Sequence, residues 1–406
     1  MVAALLGAGC AFAVDPATLD GKVLIGYQGW FTCPEDGSNR WTHWSRGVPT
    51  PETLTIEMYP DVSELEPDER CAIPSMTIGG KQAYLFSSRN ANTVSRHFRW
   101  MKEYGLDGVL VQRFVGSIRG ARAGGDVVLK NVMAAAKESG RTFAIEYDIS
   151  GGKAETFAQT LKDDWTYLVE ELKVAEHPNY QRHNGKPVVS VWGMGLSDGP
   201  AHPPADAKEA LELITWFKSK ATYMGGTPSR WGTLTRDSKS EPAWAEAYAA
   251  MDVIQPWNVG RYGSIDGADK FKDEVVVPDV KLAAKNGQAY MPVVFPGFSW
   301  SNLKKTAKPN QIPRLRGEFL WRQAYNAKMA GAKMLKIAMF DEVDEGTAIF
   351  KVVSKRAQAP EQGFWLALDA DGAELPSDHY LKLAGEITKM FHGEAAPVVR
   401  MPAPLK

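Results

Sequence analysis

The segment Lys336-Ile337-Ala338-Met339-Phe340-Asp341-Glu342-Val343-Asp344-Glu345-Gly346-Thr347 runs from an apolar, strand-like stretch into four carboxylates within five residues. Like charges at that spacing compete for protons, so some members stay protonated at a pH where others are ionised. General acid and general base catalysis needs that asymmetry, and glycosidic bond cleavage is the commonest use of two such groups. Glu342 and Glu345 are the candidate catalytic pair, and Gly346 lets the chain turn sharply beneath them. Two other readings fit the same residues: a solvated acidic loop, and a structural calcium site built from hard oxygen ligands. The spacing does not match an EF-hand loop.

Other chemistries find less support. The seven histidines are scattered, with no pair one residue apart at the end of an early strand, so neither a metal nor another cofactor is expected. A serine- or cysteine-nucleophile hydrolase is set aside. His43, between Trp41 and Trp44, is either a substrate contact or a structural histidine. Basic and acidic residues number 47 and 48 and are interleaved. That balance leaves no electrostatic footprint for nucleic acid or an anionic membrane, and it favours a neutral partner. The 13 tryptophans offer faces of the kind that stack on sugar rings, although most aromatic residues of any chain serve the core.

These residues need elements to position them. Eight apolar, β-branched or aromatic runs alternate with amphipathic stretches: Val23 to Trp30, Gly108 to Phe114, Thr142 to Ile149, Pro187 to Trp192, Ala221 to Gly226, Val253 to Val259, Tyr290 to Phe295 and Met334 to Phe340. Helices are expected behind a capping Asn92-Thr93, through Phe157, Leu161, Leu168 and Leu172, over Ala210 to Phe217, and from Leu315 to Ala330 between Pro313 and Gly331. This alternation predicts an α/β chain folded as a (β/α)8 TIM barrel, whose active site lies at the C-terminal ends of the strands. No Gly-rich phosphate loop follows the first run, which argues against a nucleotide-binding open sheet.

The expected strand ends carry Tyr27, Gln28 and Trp30, then Gln112, Glu146 with Tyr147, Trp192, Gln255 with Trp257 and Asn258, and Trp300. All are candidate substrate-binding residues. Strand alternation turns either Gln112 or Arg113 inward, and Gln112 is the better inward residue. Asp148 is read either as a third acidic site residue or as a cap. A long excursion after the first strand, Phe31 to Asn90, is expected to cross the barrel mouth, with strand-like pieces at Leu54 to Met58 and Ala83 to Phe86. Phe364 to Leu368 followed by Ala370-Asp371-Gly372 predicts a small C-terminal hairpin before a last helix, Tyr380 to Phe391, and the Pro-rich tail over 394–406 is expected to lie loose.

Residues 1–13 read as the apolar and cleavage regions of an export signal, with Ala11-Phe12-Ala13 as the small-x-small site, although a positively charged leader is missing. The expectation is a periplasmic or secreted barrel domain over 14–393, with Cys10 a poor lipoprotein anchor. No apolar run approaches the roughly 20 residues of a membrane span. Export would permit a disulfide between Cys33 and Cys71, both in the excursion.

Gly26-Tyr27-Gln28-Gly29-Trp30-Phe31, Asn39-Arg40-Trp41-Thr42-His43-Trp44 and Asp107-Gly108-Val109-Leu110-Val111-Gln112-Arg113-Phe114 resemble glycoside hydrolase family 71/99-like proteins. The resemblance spans about Gly21 to Phe391. In the endo-α-mannosidase branch the last strand ends in Asn-Glu-Trp-x-Glu-Gly-Thr, and Asp341 to Thr347 matches both glutamates at the same spacing. The resemblance implies that Glu342 deprotonates the sugar 2-hydroxyl. Glu345 would then protonate the leaving oxygen and later activate water, with retention through a 1,2-anhydro sugar. Ala144-Ile145-Glu146-Tyr147-Asp148 is similar to that family's third-strand His-Ile-Glu-Pro-Tyr, which implies a substrate-binding role for Glu146. Asp341 and Val343 replace the family's Asn and Trp, and the third-strand Pro is absent. The expected function is therefore a glycoside hydrolase acting on an oligo- or polysaccharide. The alternatives are an inverting α-glucanase-like enzyme and a carbohydrate-binding protein without catalysis; the last would keep the aromatic residues and lose one glutamate.

Overall fold

The computed structural model describes residues 13–198, 202–204 and 206–405, so all of the export-signal expectation except Ala13 lies outside the described residues, as does Cys10. Eight parallel strands form a ring. They are β1 (Val23–Tyr27), β2 (Gly108–Phe114), β3 (Thr142–Asp148), β4 (Lys186–Trp192), β5 (Thr222–Pro228), β6 (Val253–Trp257), an interrupted β7 (Ala289–Tyr290 and Val293–Val294) and β8 (Leu335–Ile337). Each of the eight runs expected to be a strand contributes one. Their continuous apolar character is what burial on both faces demands.

The lower half of β7 pairs with β6 and its upper half with β8, which in turn pairs with β1 and closes the barrel. Pro292 sits at the break, where it has no N–H to give; its carbonyl accepts from Lys336 N. Nine α-helices wrap the ring among the described residues: α1 (Ala91–Glu103), α2 (Val115–Ser139), α3 (Phe157–Glu170), α4 (Ala207–Lys218), α5 (Ala243–Ala249), α6 (Ile265–Phe271), α7 (Val277–Lys285), α8 (Glu318–Met329) and α9 (His379–His392). The cap of α1 is Asn90 rather than Asn92-Thr93, its side chain accepting the amides of both. Helix α8 starts later than expected because Arg316 and Gly317 take left-handed φ of 57° and 96°, which ends a short 3-10 turn first.

The excursion after β1 does lie on the C-terminal side of the ring, against the loop that follows β8. It holds an antiparallel pair, Cys71–Ile78 with Lys81–Leu85, and a Cys33–Cys71 disulfide. Leu54 to Met58 forms no ladder strand; the amides of Glu57 and Met58 both donate to Val343 O instead. The expected C-terminal hairpin is absent. Leu366 N donates to Glu57 O and Leu368 N to Val353 O, so this segment finds its backbone partners on neighbouring chain rather than on itself, and a 3-10 turn, Leu368–Asp371, follows. The tail is tied down as well: Trp321 Nε1 donates to Val398 O, and Met401 and Leu405 pack on the core.

Strand parity decides what reaches the barrel interior. On β2, Gln112 faces inward, and Arg113 turns out to the helices, where it pairs with Asp126 of α2 and Asp164 of α3 in a buried cluster. Breaking such a cluster strands a buried charge, so Arg113→Met should lower unfolding stability by about 3–5 kcal/mol. Urea titration measures this, and a loss too small to resolve would refute the outward, structural role. The disulfide closes a loop of sequence separation 38, and Cys33→Ser should cost roughly 3–4 kcal/mol in the same assay. A midpoint that does not respond to reductant would show the bridge to be dispensable.

Candidate active site

Beyond Ile337 the chain crosses the C-terminal rim of the barrel, where the carboxylates gather. Asp341 accepts the backbone amides of Gln28 at 2.8 Å and Gly29 at 2.9 Å, stitching the end of β1 to the end of β8. That fixes Gln28, whose Nε2 donates to Glu342 Oε1 at 2.7 Å, while Thr347 Oγ1 donates to Oε2 at 2.8 Å. Glu342 is therefore held from both oxygens. At Gly346, with φ of 64°, a Cβ would come within 3.1 Å of Ser299 N, and this close approach lets Ser299 N donate to Glu345 O at 2.9 Å. Asp344 lies 3.5 Å from His43 Nδ1, and His43 stacks flat on Trp30 with ring centres 3.6 Å apart. Trp30 stacks in turn on Phe114 at 5.2 Å.

Burial dominates the electrostatics. It pushes Asp341 up to about 7, against the pull of the two amides. It pushes Glu345 up to about 8, helped by the negative charge of Asp344 and opposed by Lys304. Burial, then the charges of Glu345 and Asp344, also raise Glu342, while Thr347 and Gln28 oppose the shift by donating to it. Two neighbouring carboxyls that both resist ionisation share protons, so the pair holds at least one at neutral pH.

Below them, Glu146 on β3 is buried and accepts from Gln112 Nε2, from Ser190 Oγ at 2.8 Å and from Lys336 Nζ at 2.5 Å. Lys336 also reaches Gln255 Oε1 at 3.3 Å, and its ammonium lies 5.5 Å from the Trp257 ring centre. Trp257 and Trp192 meet edge to face at 5.3 Å. Trp300 packs on Phe298, with Lys304 Nζ 5.7 Å from its ring centre. Asp148 accepts the Ser150 amide in a tight turn, and burial raises its pKa. A cavity of about 580 Å³ opens to one side of this cluster, walled by Gln28, Trp30, His43, Gln112 and Phe114 and by helix α2, with none of the carboxylates in its wall.

Gln28, Gln112, Glu146, Trp192, Gln255, Trp257, Glu342 and Glu345 thus converge on one mouth, with Trp30 and Trp300 at its edges. Three expected substrate contacts do not. Tyr27 turns outward and its hydroxyl meets His97 Nδ1 of α1 at 3.0 Å. Tyr147 also turns outward, donating to Asp164 Oδ2 of α3 at 2.9 Å. Asn258 donates from Nδ2 to Val293 O on β7 at 3.2 Å, behind the sheet. In each case the neighbour, Gln28, Glu146 or Trp257, takes the inward place.

Lys336, Ser190 and Glu57 escaped sequence reasoning. A lysine inside an apolar run was a usable signal for the first. Glu57 gave none: it is fully buried and holds the loop after β7 by accepting from Ser299 Oγ at 2.7 Å, from Ser301 Oγ at 3.0 Å and from Asn302 N. Gly195-Leu196-Ser197-Asp198-Gly199 has the letters of a nucleophile elbow. The exposed Ser197 hydroxyl, however, donates to Arg236 O rather than to a histidine. The one grouping of potential metal ligands among the described residues, Cys33, Glu35 and Cys71, contains the disulfide.

No protein-family model matches the sequence, and no curated protein matches it. Among solved structures, the chain resembles the family 99 (GH99) endo-alpha-mannosidase from Bacteroides thetaiotaomicron in complex with bis-tris-propane, with a TM-score of 0.67 and 18% identity over 93% of this chain and 99% of that one. A second structure of that enzyme gives 0.66 and 17% over the same shares. A glycoside hydrolase-like protein gives 0.56 and 14%, covering 94% of this chain and 97% of the other. The likeness is one of fold: this chain has the (β/α)8 architecture of the GH99 endo-alpha-mannosidase.

Proposed function

We propose that the protein is a glycoside hydrolase that cleaves α-linked bonds in a neutral oligo- or polysaccharide with retention, using Glu342 and Glu345. The observation that carries this reading is the unequal treatment of the two glutamates. Glu342 receives two hydrogen bonds that favour its anion, while Glu345, raised to about 8, keeps its proton at neutral pH. Glu345 is thus available as the acid, and Glu342, fixed on both oxygens by donors, is assigned the part of the base. The cavity beside them suits a polyhydroxylated ligand. Gln28 Oε1 and the indole N–H of Trp30, both from residues of the cavity wall, are buried without a protein partner, and sugar hydroxyls can both donate and accept.

In the proposed reaction Glu342 takes the proton from the sugar O2, and O2 displaces the leaving oxygen from C1, forming a 1,2-anhydro ring. Glu345 gives its proton to the leaving oxygen. Glu345 then removes a proton from water as that water attacks C1, the ring opens, and Glu342 returns the proton to O2. Two inversions at C1 leave the configuration unchanged.

Glu345→Gln should lower turnover on an α-linked glycan by about 10² to 10⁴ and recover strongly on an aryl glycoside, whose leaving group needs little protonation. Glu342→Gln should show no such recovery. The protonated form of Glu345 is required, so wild-type kcat/KM should fall as pH rises through about 8, and this limb should flatten on the aryl substrate. Early-time NMR of the released sugar should show the α anomer. Release of the β anomer would refute retention, and inertness of the wild type on a broad panel of α-glycosides would refute the reading itself.

A further inference from the structure

The proposed reaction leaves one buried ion pair without a task. Lys336 and Glu146, with side chains 1% and 0% exposed, meet across the barrel at 2.5 Å. The interior of a (β/α)8 barrel is ordinarily filled by branched aliphatic side chains, and a buried ion pair is often no more stabilising than apolar residues of the same volume. Packing therefore does not account for a lysine here. The surroundings are built around the carboxylate: Ser190 of β4 donates to one oxygen, and Gln112 of β2 and Lys336 of β8 donate to the other. Gln255 of β6 holds the ammonium from the far side. A carboxylate offers about four acceptor positions, and three are taken.

We propose that Lys336 is a positioning residue: its ammonium keeps Glu146 a fixed anion beneath the floor of the site, and Glu146 in turn holds Gln112, which lies in the cavity wall, in place for a hydroxyl of the bound sugar. The identity of that ligand rests on the glycosidase reading; the charge arrangement does not. The charged groups around the pair make the cation necessary. Asp148 follows Glu146 on β3 and is raised by Glu146 but lowered by Lys336. Asp341, Glu342, Asp344 and Glu345 follow Lys336 on its own chain, with His43 of the excursion against Asp344 and Lys304 beside Glu345. Of these carboxyls Asp148 is the one that Lys336 lowers, so without Lys336 it and Glu146 would face each other with no cation between them.

The test uses Lys336→Met and Lys336→Met/Glu146→Gln, read by ¹³C NMR titration of glutamate side-chain carboxyls and by the pH profile of kcat/KM on a cleaved glycan. In Lys336→Met a glutamate carboxyl should begin to titrate about 1–3 pH units higher than any does in the same position of the wild type, and the acid limb of kcat/KM should move up with it. The double variant should lose the new titration and regain the wild-type limb, with a raised KM. Loss of activity by the same factor at every pH in both variants, with no displaced titration, would reduce the pair to a structural element and overturn the proposal. If Lys336→Met does not fold, the wild type still decides, with Glu146 assigned by comparison with Glu146→Gln: the proposal requires Glu146 to stay charged across the active range, and protonation within that range overturns it. The titration needs no substrate, so an inert wild type would defeat the glycosidase reading alone.

Discussion

The site depends on one joint, the pair of hydrogen bonds from the Gln28 and Gly29 amides to Asp341. The ladder between β1 and β8 ends at Ile25 and Ile337, and above it Phe340 N donates to Gly26 O at 2.7 Å. Asp341 carries the connection two residues further, to Gln28 and Gly29. Because the joint fixes Gln28, it also fixes Glu342, so the closure of the barrel and the aim of that carboxyl are one event. Its electrostatic cost is visible in Asp341 itself, pushed up to about 7 although two amides point at it.

The same economy appears in the roof of the site. Glu57 reaches down from the excursion to hold the loop after β7 by three donors, and its own amide donates to Val343 O in the loop after β8. His43, from another part of the excursion, stacks on Trp30 and meets Asp344. The segment inserted after β1 is therefore the upper half of the candidate site rather than a lid laid over it.

The eight strands were legible because each is an apolar run buried on both faces, a signal contained within six to eight residues. Parity was legible too where it was applied: Gln112 inward implied Arg113 outward. The same rule, carried to Gln28, Glu146 and Trp257, would have removed Tyr27, Tyr147 and Asn258 from the expected contacts; their polar and aromatic character drew them in instead. What could not be read were partnerships between distant residues. Glu57 meets Ser299 across 242 positions, and nothing near either residue announces it. The missing C-terminal hairpin has the same origin, since Leu366 finds its partner on Glu57 and not across a local turn.

The joint between the first and last strands sets an order of assembly. During synthesis β1 leaves the ribosome early, with one edge bound for β2 and the other for a strand that lies more than three hundred residues further on. Until β8 arrives that second edge carries unpaired amides and carbonyls, the kind of surface that invites pairing with other chains. A nascent chain stalled before residue 335 could build most of the wall and several helices, yet would lack both glutamates and the aspartate that fastens Gln28. The complete carboxylate cluster is thus confined to finished molecules, and truncated products carry the aggregation hazard without it.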